Sequence, residues 1–426
     1  MFKFILEGGH RLDGTIAISG SKNATLPLMA AALLADSPTI LRNVPELRDI
    51  RTMISVIESL GVKIELNDGI MKIDPAEFYN TEAPYDMVRK MRASVYVMGP
   101  MLAKLGKATV SLPGGCAIGP RPIDLHLKGF ENLGATVSLS QGNIIASVDD
   151  KLKGKTFDLA GTSGSSVGAT CNTLMAAVLA EGTTVITSAA TEPDVSELVN
   201  FLIKMGANIE GIGTTTLTIH GVNSLEGIVH TVVTDRIEAG TFMIAAGITH
   251  GYLKLLNVPF EHMESTISKL REIGLVIKKE SDYIEVYGDA NTFSPVMTTT
   301  AVFPGFPTDM QAQLTALLST VKGTSIVRET IYPDRFMHVP ELLRLGANIN
   351  VMSPTATIQG VDHLCGAPIM ASDLRASAAL VLAGLAAEGT TTIRRIYHID
   401  RGYESIETKL KNAGAVISRV QDEHSF

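Results

Sequence analysis

Apolar residues along the chain mark two alternating kinds of helix-length segment. Segments 24–35, 93–105, 167–180, 237–249, 310–318 and 376–387 are apolar nearly all round and rich in alanine. A helix with no polar face must be buried on every side. Between them lie segments such as 195–205 and 265–273, with apolar residues at helical spacing and Glu and Lys in between, the pattern of a half-buried amphipathic helix. Each amphipathic segment ends at a glycine followed by a strand-like run: Gly61, Gly134, Gly206, Gly274, Gly346 and Gly414. Glycine is expected there because it takes the left-handed helix cap cheaply. Short β-prone runs such as Thr109-Val110-Ser111 and Thr391-Thr392-Ile393 follow the apolar helices.

The six glycines recur at intervals of 68 to 73 residues, so the chain reads as six copies of one unit of about 70 residues. Each copy is predicted to run buried helix, strand, amphipathic helix, then two or more strands. Six buried helices do not fit one small core. The expected architecture is α/β, with two lobes of three units, helices inside and strands outside. A solenoid with a binding groove is the alternative. Two lobes imply a cleft, where ligands favour binding.

Composition narrows the function. The 426 residues are 45% hydrophobic and 19% charged, which excludes a disordered chain. Lys and Arg number 36 against 44 Asp and Glu, a net charge of −8. Nucleic acid is therefore not an expected partner. Cys116, Cys171 and Cys365 are far apart, neither a disulfide framework nor a zinc site, and a reducing cytoplasm is the expected compartment. Glu7 interrupts the start too early for a signal peptide. The most apolar stretches, 26–35 and 376–387, are too short for a bilayer, which takes about 20 residues. No membrane association is expected, and the pattern fixes no oligomeric state.

The polar residues gather at helix starts. Ser21-Lys22-Asn23, Arg92, Ser165-Ser166, Asp235-Arg236, Thr308-Asp309 and Asp373-Leu374-Arg375 precede the buried helices. Arg48-Asp49, Arg121 with Asp124, Glu192, His262, Arg335 and Arg401 stand at the amphipathic ones. Equivalent positions in a repeat face the same end of a lobe, and helix N-termini attract anions. Lys22, Arg92, Arg121, Arg335, Arg375 and Arg401 thus form a candidate cationic cluster for a small multivalent anion. Cys116 sits in a loop with Gly114, Gly115 and Gly119, near Arg121. Positive charge there favours a reactive thiolate, whereas Cys171 lies in an apolar run and reads as structural. Asp309 is either a helix N-cap or an ionised base held by nearby arginines. Residues 161–168 are Gly/Ser-rich and open a helix, without a P-loop ending. His126, His338 and His398 lack ligand spacing, so no metal is expected.

These residues form motifs that resemble the enolpyruvyl transferases, the EPSP synthase-like family, over the whole chain. They are Gly20-Ser21-Lys22-Asn23, Met91-Arg92-Ala93-Ser94, Pro113-Gly114-Gly115-Cys116, Gly119-Pro120-Arg121-Pro122-Ile123-Asp124-Leu125-His126, Phe306-Pro307-Thr308-Asp309-Met310-Gln311, Arg335-Phe336-Met337-His338, Asp373-Leu374-Arg375-Ala376-Ser377 and Tyr397-His398-Ile399-Asp400-Arg401-Gly402-Tyr403-Glu404. The resemblance implies two inside-out α/β barrel lobes of three units each, with residues 21–231 in the first lobe and 1–20 plus 232–426 in the second.

It implies an addition–elimination reaction in which phosphoenolpyruvate gives its enolpyruvyl group to UDP-N-acetylglucosamine and releases phosphate, with no cofactor. In the implied roles, Cys116 protonates the methylene carbon of phosphoenolpyruvate and can form a covalent adduct with it. Asp309 takes the proton of the sugar hydroxyl. Lys22, Asn23, Arg121 and Arg401 hold phosphoenolpyruvate. Arg92, Arg121, Pro122, Ile123, Asp124, Leu125, Ser166, Val167, Gly168, Asp309 and Ile331 contact the nucleotide sugar. Arg335, Asp373 and Arg375 complete the site on closure. Pro120 and the 161–168 segment depart from the usual family pattern, which bears on substrate contacts. A sister enzyme acting on shikimate phosphate and a non-catalytic sugar-nucleotide binder are the rival readings. The Pro-Gly-Gly-Cys loop disfavours the first, and the intact Cys116, Lys22, Asp309 and Arg401 disfavour the second.

Overall fold

A computed structural model describes residues 1–426 except Lys90, 113–122, Ser163 and 423–426. The described residues divide into two compact units, the 20–233 unit (residues 20–112 and 123–233) and the unit of residues 1–19 with 234 onward. Each has its own apolar core.

In the 20–233 unit, the apolar helices are Lys22–Ala31, Met98–Leu105 and Val167–Ala177. Every residue from Ala24 to Ala31 and from Ala169 to Ala177 is buried. Three four-stranded sheets cover them. In one, Val229–Thr231 runs parallel to Thr39–Arg42, which pairs antiparallel with Ile70–Asp74 and then Lys63–Asn67. The sheet Glu82–Ala83, Lys107–Ser111, Asn143–Ser147 and Thr136–Ser140 repeats this order. So does Thr156–Asp158, Thr183–Thr187, Thr216–His220 and Asn208–Glu210.

The other unit follows the same plan around the helices Arg236–Ile248, Gln311–Leu318 and Leu374–Ala386. All residues from Ile237 to Ile248 and from Arg375 to Leu385 are buried. Its strands alternate: Tyr252, Lys254 and Leu256 are half-buried while Leu253 and Leu255 are buried, the period of a sheet with one face on a core. Two sheets are completed from the start of the chain. Phe2–Glu7 lies between Thr390–Arg394 and Val416–Gln421 in the place of a hairpin strand, and Asp13–Ala17 runs parallel to Tyr252–Leu256. Thr216–His220 and Val229–Thr231 play these same two parts in the other unit. This repetition yields the six-unit fold expected from the glycine spacing.

The six repeat glycines have φ between +88° and +121°. Gly206 shows why: it closes the Pro193–Met205 helix, its N–H reaching back to Leu202 and Ile203, at φ 112°. A side chain there would be strained. The segment expected to be a helix over 93–105 differs at its start. Arg92–Val97 is a 3₁₀ turn and the α-helix begins at Met98. Pro100 is the cause, since it has no N–H for the carbonyl of Tyr96 and fits only the first helical turn. Among the described residues, no helix is long and apolar enough to cross a membrane.

Candidate functional site

In the 1–19 and 234-onward unit, the starts of two buried helices meet the end of a third segment. Asp309 lies in the 3₁₀ turn Thr308–Met310, ahead of the Gln311–Leu318 helix. It makes no cap hydrogen bond. Its carboxylate is instead held between two guanidinium groups. Arg335 Nη1 donates to Oδ1 at 2.8 Å, and Arg375 Nη2 donates to Oδ2 at 2.8 Å. The Asp309 side chain is 28% exposed, against 6% and 3% for the two arginines. Burial alone would raise the carboxyl pKa, but the charges and hydrogen bonds of Arg375 and Arg335 hold it well below the usual carboxylate range. Of the two uses of Asp309 open to the sequence, the geometry selects the arginine-held carboxylate.

Each arginine is itself anchored. Arg335 Nη1 also donates to Thr308 Oγ1 at 3.0 Å, and Thr308 donates to Glu329 Oε2 at 2.9 Å. Glu329 is fully buried. Its Oε1 accepts from Thr300 Oγ1 and from the backbone N–H groups of Ile331 and Tyr332, at 2.8 to 3.0 Å. The carboxylate thus fixes the loop that carries Ile331 and leads to Arg335. Arg375 starts its helix with Asp373 as N-cap, whose Oδ1 accepts from the N–H groups of Arg375 and Ala376. Arg375 Nη1 lies 3.3 Å from the phenol oxygen of Tyr403. Arg401 closes the Ile396–Arg401 turn, two residues before Tyr403.

In the 20–233 unit, Ser21 caps the Lys22–Ala31 helix, accepting from Ala24 N, and its hydroxyl donates to Asp194 at 3.3 Å. Lys22 Nζ pairs with Asp49 Oδ2 at 3.3 Å, and both side chains are largely buried. Asn23 follows on the same helix. Ser166 caps the Val167–Ala177 helix. The ring of His126 lies against that helix start: a Cβ on Gly168 would come within 3.1 Å of Nε2. Leu125 is as close to Gly161. The Asp124–Asn132 helix, preceded by Ile123, therefore meets Gly161 and Gly168. Asn172 Nδ2 donates to the Val95 carbonyl and to His126 Nδ1, and its Oδ1 accepts from Gly99 N. With Nδ1 an acceptor, the neutral ring carries its proton on Nε2. Burial and then the Arg92 charge push the His126 pKa down to about 3.

The structure therefore gathers Asp309, Arg335, Asp373 and Arg375 in one unit. It gathers Ile123, Asp124, Leu125, Ser166, Val167 and Gly168 in the other, where Arg92 acts electrostatically on His126. Cys116, Arg121 and Pro122 lie outside the described residues, as does Pro120. Cys171 is buried and its thiol pKa is raised by burial, matching its reading as structural. Sequence reasoning did not single out Asp49, Gln313, Thr241, Glu329 or Tyr403 for these contacts. For Thr241 and Gln313 the available signal was a polar residue inside an otherwise apolar helix, since buried polar groups need partners.

Comparison with known proteins agrees with this picture. The sequence model of the EPSP synthase (3-phosphoshikimate 1-carboxyvinyltransferase) family matches residues 6–410. The chain is 52% identical to "UDP-N-acetylglucosamine 1-carboxyvinyltransferase 1" of Caldanaerobacter subterraneus, over 98% of this chain and 99% of that one. It is 51% identical to UDP-N-acetylglucosamine 1-carboxyvinyltransferase of Methylacidiphilum infernorum, over 99% of both chains. Among solved structures, the enolpyruvyl transferase NikO from Streptomyces tendae superposes with a TM-score of 0.90 at 26% identity, covering 99% of both chains. EPSP synthase from Acinetobacter baumannii shares the fold, with a TM-score of 0.75 at 18% identity over 99% of this chain and all of that one. Kinship over the full length, in sequence and in fold alike, makes this chain a member of the EPSP synthase family of enolpyruvyl transferases.

Proposed function

We propose that this chain transfers the enolpyruvyl group of phosphoenolpyruvate to the sugar 3-hydroxyl of UDP-N-acetylglucosamine, releasing phosphate. This is the first committed step of peptidoglycan synthesis. The observation that carries the reading is the near-complete match, at about half identity, to relatives named for this activity.

The chemistry assigns roles to the residues. Phosphoenolpyruvate brings about three negative charges, which need several converging cations. Lys22, Asn23, Arg121 and Arg401 supply this hold. In the addition step the sugar oxygen bonds to C2 of phosphoenolpyruvate. The C2–C3 π pair takes a proton at C3 from Cys116, and Asp309 accepts the hydroxyl proton. In the elimination step C3 returns a proton and the C2–O bond to phosphate breaks. Atoms and electrons balance without an oxidant or reductant. The Asp309 carboxylate is held ionised, as an acceptor requires, and Arg335 and Arg375 keep it aimed. A positioned acid or base contributes roughly 10²–10⁴ in rate.

Arg92, Ile123, Asp124, Leu125, Ser166, Val167, Gly168 and Ile331 are the proposed contacts of the nucleotide sugar, together with Arg121, Pro122 and Asp309. The helix starts at Ser166 and Asp124 present backbone N–H groups suited to its phosphates. Residues 21–231 and 1–20 plus 232–426 are the proposed functional lobes. Cys116 is the residue that can carry a covalent adduct of phosphoenolpyruvate. No cofactor is invoked, and the three dispersed cysteines suit a cytoplasmic enzyme.

Proton NMR of the reaction products is the direct test. New vinyl signals on the nucleotide sugar support the reading. Vinyl transfer to shikimate 3-phosphate but not to the sugar would replace it with the sister activity.

A further inference from the structure

Behind the Arg375–Asp309 contact lies a buried polar network. Tyr403 is among the largest fully buried side chains of the protein, at 2% exposure. Among the described residues, its phenol oxygen has three neighbours at hydrogen-bond distance: Thr241 Oγ1 at 2.9 Å, Gln313 Nε2 at 3.1 Å and Arg375 Nη1 at 3.3 Å. The Arg375 guanidinium carbon also sits 5.6 Å from the centre of the tyrosine ring.

Counting hydrogens fixes the direction of these bonds. The Thr241 hydroxyl has one proton, and it goes to the Ile237 carbonyl at 2.8 Å. Thr241 Oγ1 is then an acceptor toward Tyr403, so the phenol proton points at Thr241. Arginine has no acceptor atom, and Gln313 offers its amide nitrogen as a donor. Both therefore donate to the phenol oxygen, Gln313 sharing that proton with Thr241 Oγ1 at 3.2 Å, and the phenol is left with no proton to turn toward them. Gln313 Nε2 spends its other proton on the backbone carbonyl of Asp309, at 2.9 Å. One amide nitrogen thus connects Tyr403 to the backbone of Asp309, while Arg375 connects Tyr403 to its carboxylate.

We infer that Tyr403 is a positioning residue: with its proton committed to Thr241, its oxygen holds Arg375 in the one orientation that grips Asp309 Oδ2. The inference rests on the proton-accepting role proposed for Asp309, but its geometry belongs to this network alone. A guanidinium can rotate about its stem and trade one N–H for another. Two fixed acceptors, the carboxylate on Nη2 and the phenol on Nη1, remove that freedom. The phenol contact is buried, so it does not compete with bulk water.

Tyr403→Phe deletes one oxygen and keeps the ring. In the full chain, kcat for phosphate release is expected to fall by roughly tenfold to a hundredfold, the scale set by a misplaced catalytic group. The acid limb of its pH profile is expected to move to higher pH, because a looser Arg375 stabilises the Asp309 carboxylate less. An unchanged kcat, or a fall with the acid limb unmoved, would overturn the inference. A second measurement does not depend on the reaction assigned. The Asp309 side-chain carboxyl carbon, followed by ¹³C NMR, is expected to titrate at higher pH in the variant than in wild type, and equal titration overturns the inference even if the substrates are other than proposed. Thr241→Val is the alternative should Tyr403→Phe not fold. It frees the phenol proton to compete with Arg375, so it should shift the Asp309 titration in the same direction, and no shift counts against the role. Wild-type phosphate release that fails with both substrates would overturn the proposed function alone.

Discussion

Arg375 and Asp309 are 66 residues apart in sequence, yet Arg375 Nη2 lies 2.8 Å from Asp309 Oδ2. Each sits where a buried helix begins, in two successive copies of the repeat. The repeat explains the meeting, because equivalent helix starts face the same end of their unit. With Arg335 on the other oxygen, the carboxylate is gripped on both sides. Asp309→Ala is therefore expected to abolish transfer while leaving nucleotide-sugar binding within about tenfold, or about 1.4 kcal/mol. Calorimetric titration alongside turnover checks this. Loss of binding equal to the loss of turnover would leave Asp309 a binding contact only and remove its role as a base.

The same grip has a pH signature. Asp309 has a native pKa well below its unfolded value of about 3.9. Its pairing therefore stabilises the fold in full above that unfolded value, and the contribution is lost as pH falls toward the native value. Acid unfolding followed by circular dichroism should be less steep below about pH 4 in Asp309→Asn than in wild type. Identical slopes would mean that the pair contributes nothing.

Glu238 shows the opposite sign. It is 2% exposed and accepts from Ser19 N at 2.6 Å and Lys409 Nζ at 2.7 Å. Burial pushes its pKa up to about 7, with Lys409 working against the rise. The native state then holds a proton that the unfolded chain has released, so stability declines as pH rises through the interval up to about 7. Glu238→Gln should flatten that decline in denaturant titrations. It should also be less stable overall at low pH, since the amide cannot serve both donors as a carboxyl group does. A decline that persists in the variant would assign it to another group.

Glu329 is the anchor for Arg335, through Thr308 and the turn at Ile331 and Tyr332. Glu329→Gln replaces one acceptor oxygen by a donor facing either a hydroxyl or backbone N–H groups. An unsatisfied buried polar group costs about 1–3 kcal/mol. The variant should lose stability in that range and lose turnover with it, as Arg335 drifts from Asp309. Full turnover at normal stability would remove Glu329 from the account.

Much of this architecture is legible in the sequence. The buried helices declare themselves because no polar face interrupts 167–180 or 376–387, and the glycines at 206 and 274 mark helix ends that only a positive φ allows. Arg335, Arg375 and Asp309 are legible as charged residues at repeated helix starts. Their pairing is not, because two equal chemistries, a cap and an ion pair, are open to an aspartate in that position. Tyr403, Thr241 and Gln313 escape for a different reason. Thr241 and Gln313 lie in helices whose pattern is set by apolar neighbours, Tyr403 follows a turn, and contacts across 72 to 162 residues appear only once these elements pack together. The Lys22–Asp49 pair hides likewise, since both residues read as ordinary first-turn charges of separate helices.

Phosphate release reports enolpyruvyl transfer itself. Purified full-length protein is assayed with phosphoenolpyruvate and UDP-N-acetylglucosamine together, with each omitted in turn, and with Cys116→Ser in place of wild type. Release is expected only when both substrates meet the wild-type protein, and none from the Cys116→Ser variant. Release from phosphoenolpyruvate alone, or undiminished release from the serine variant, would contradict the proposed reaction.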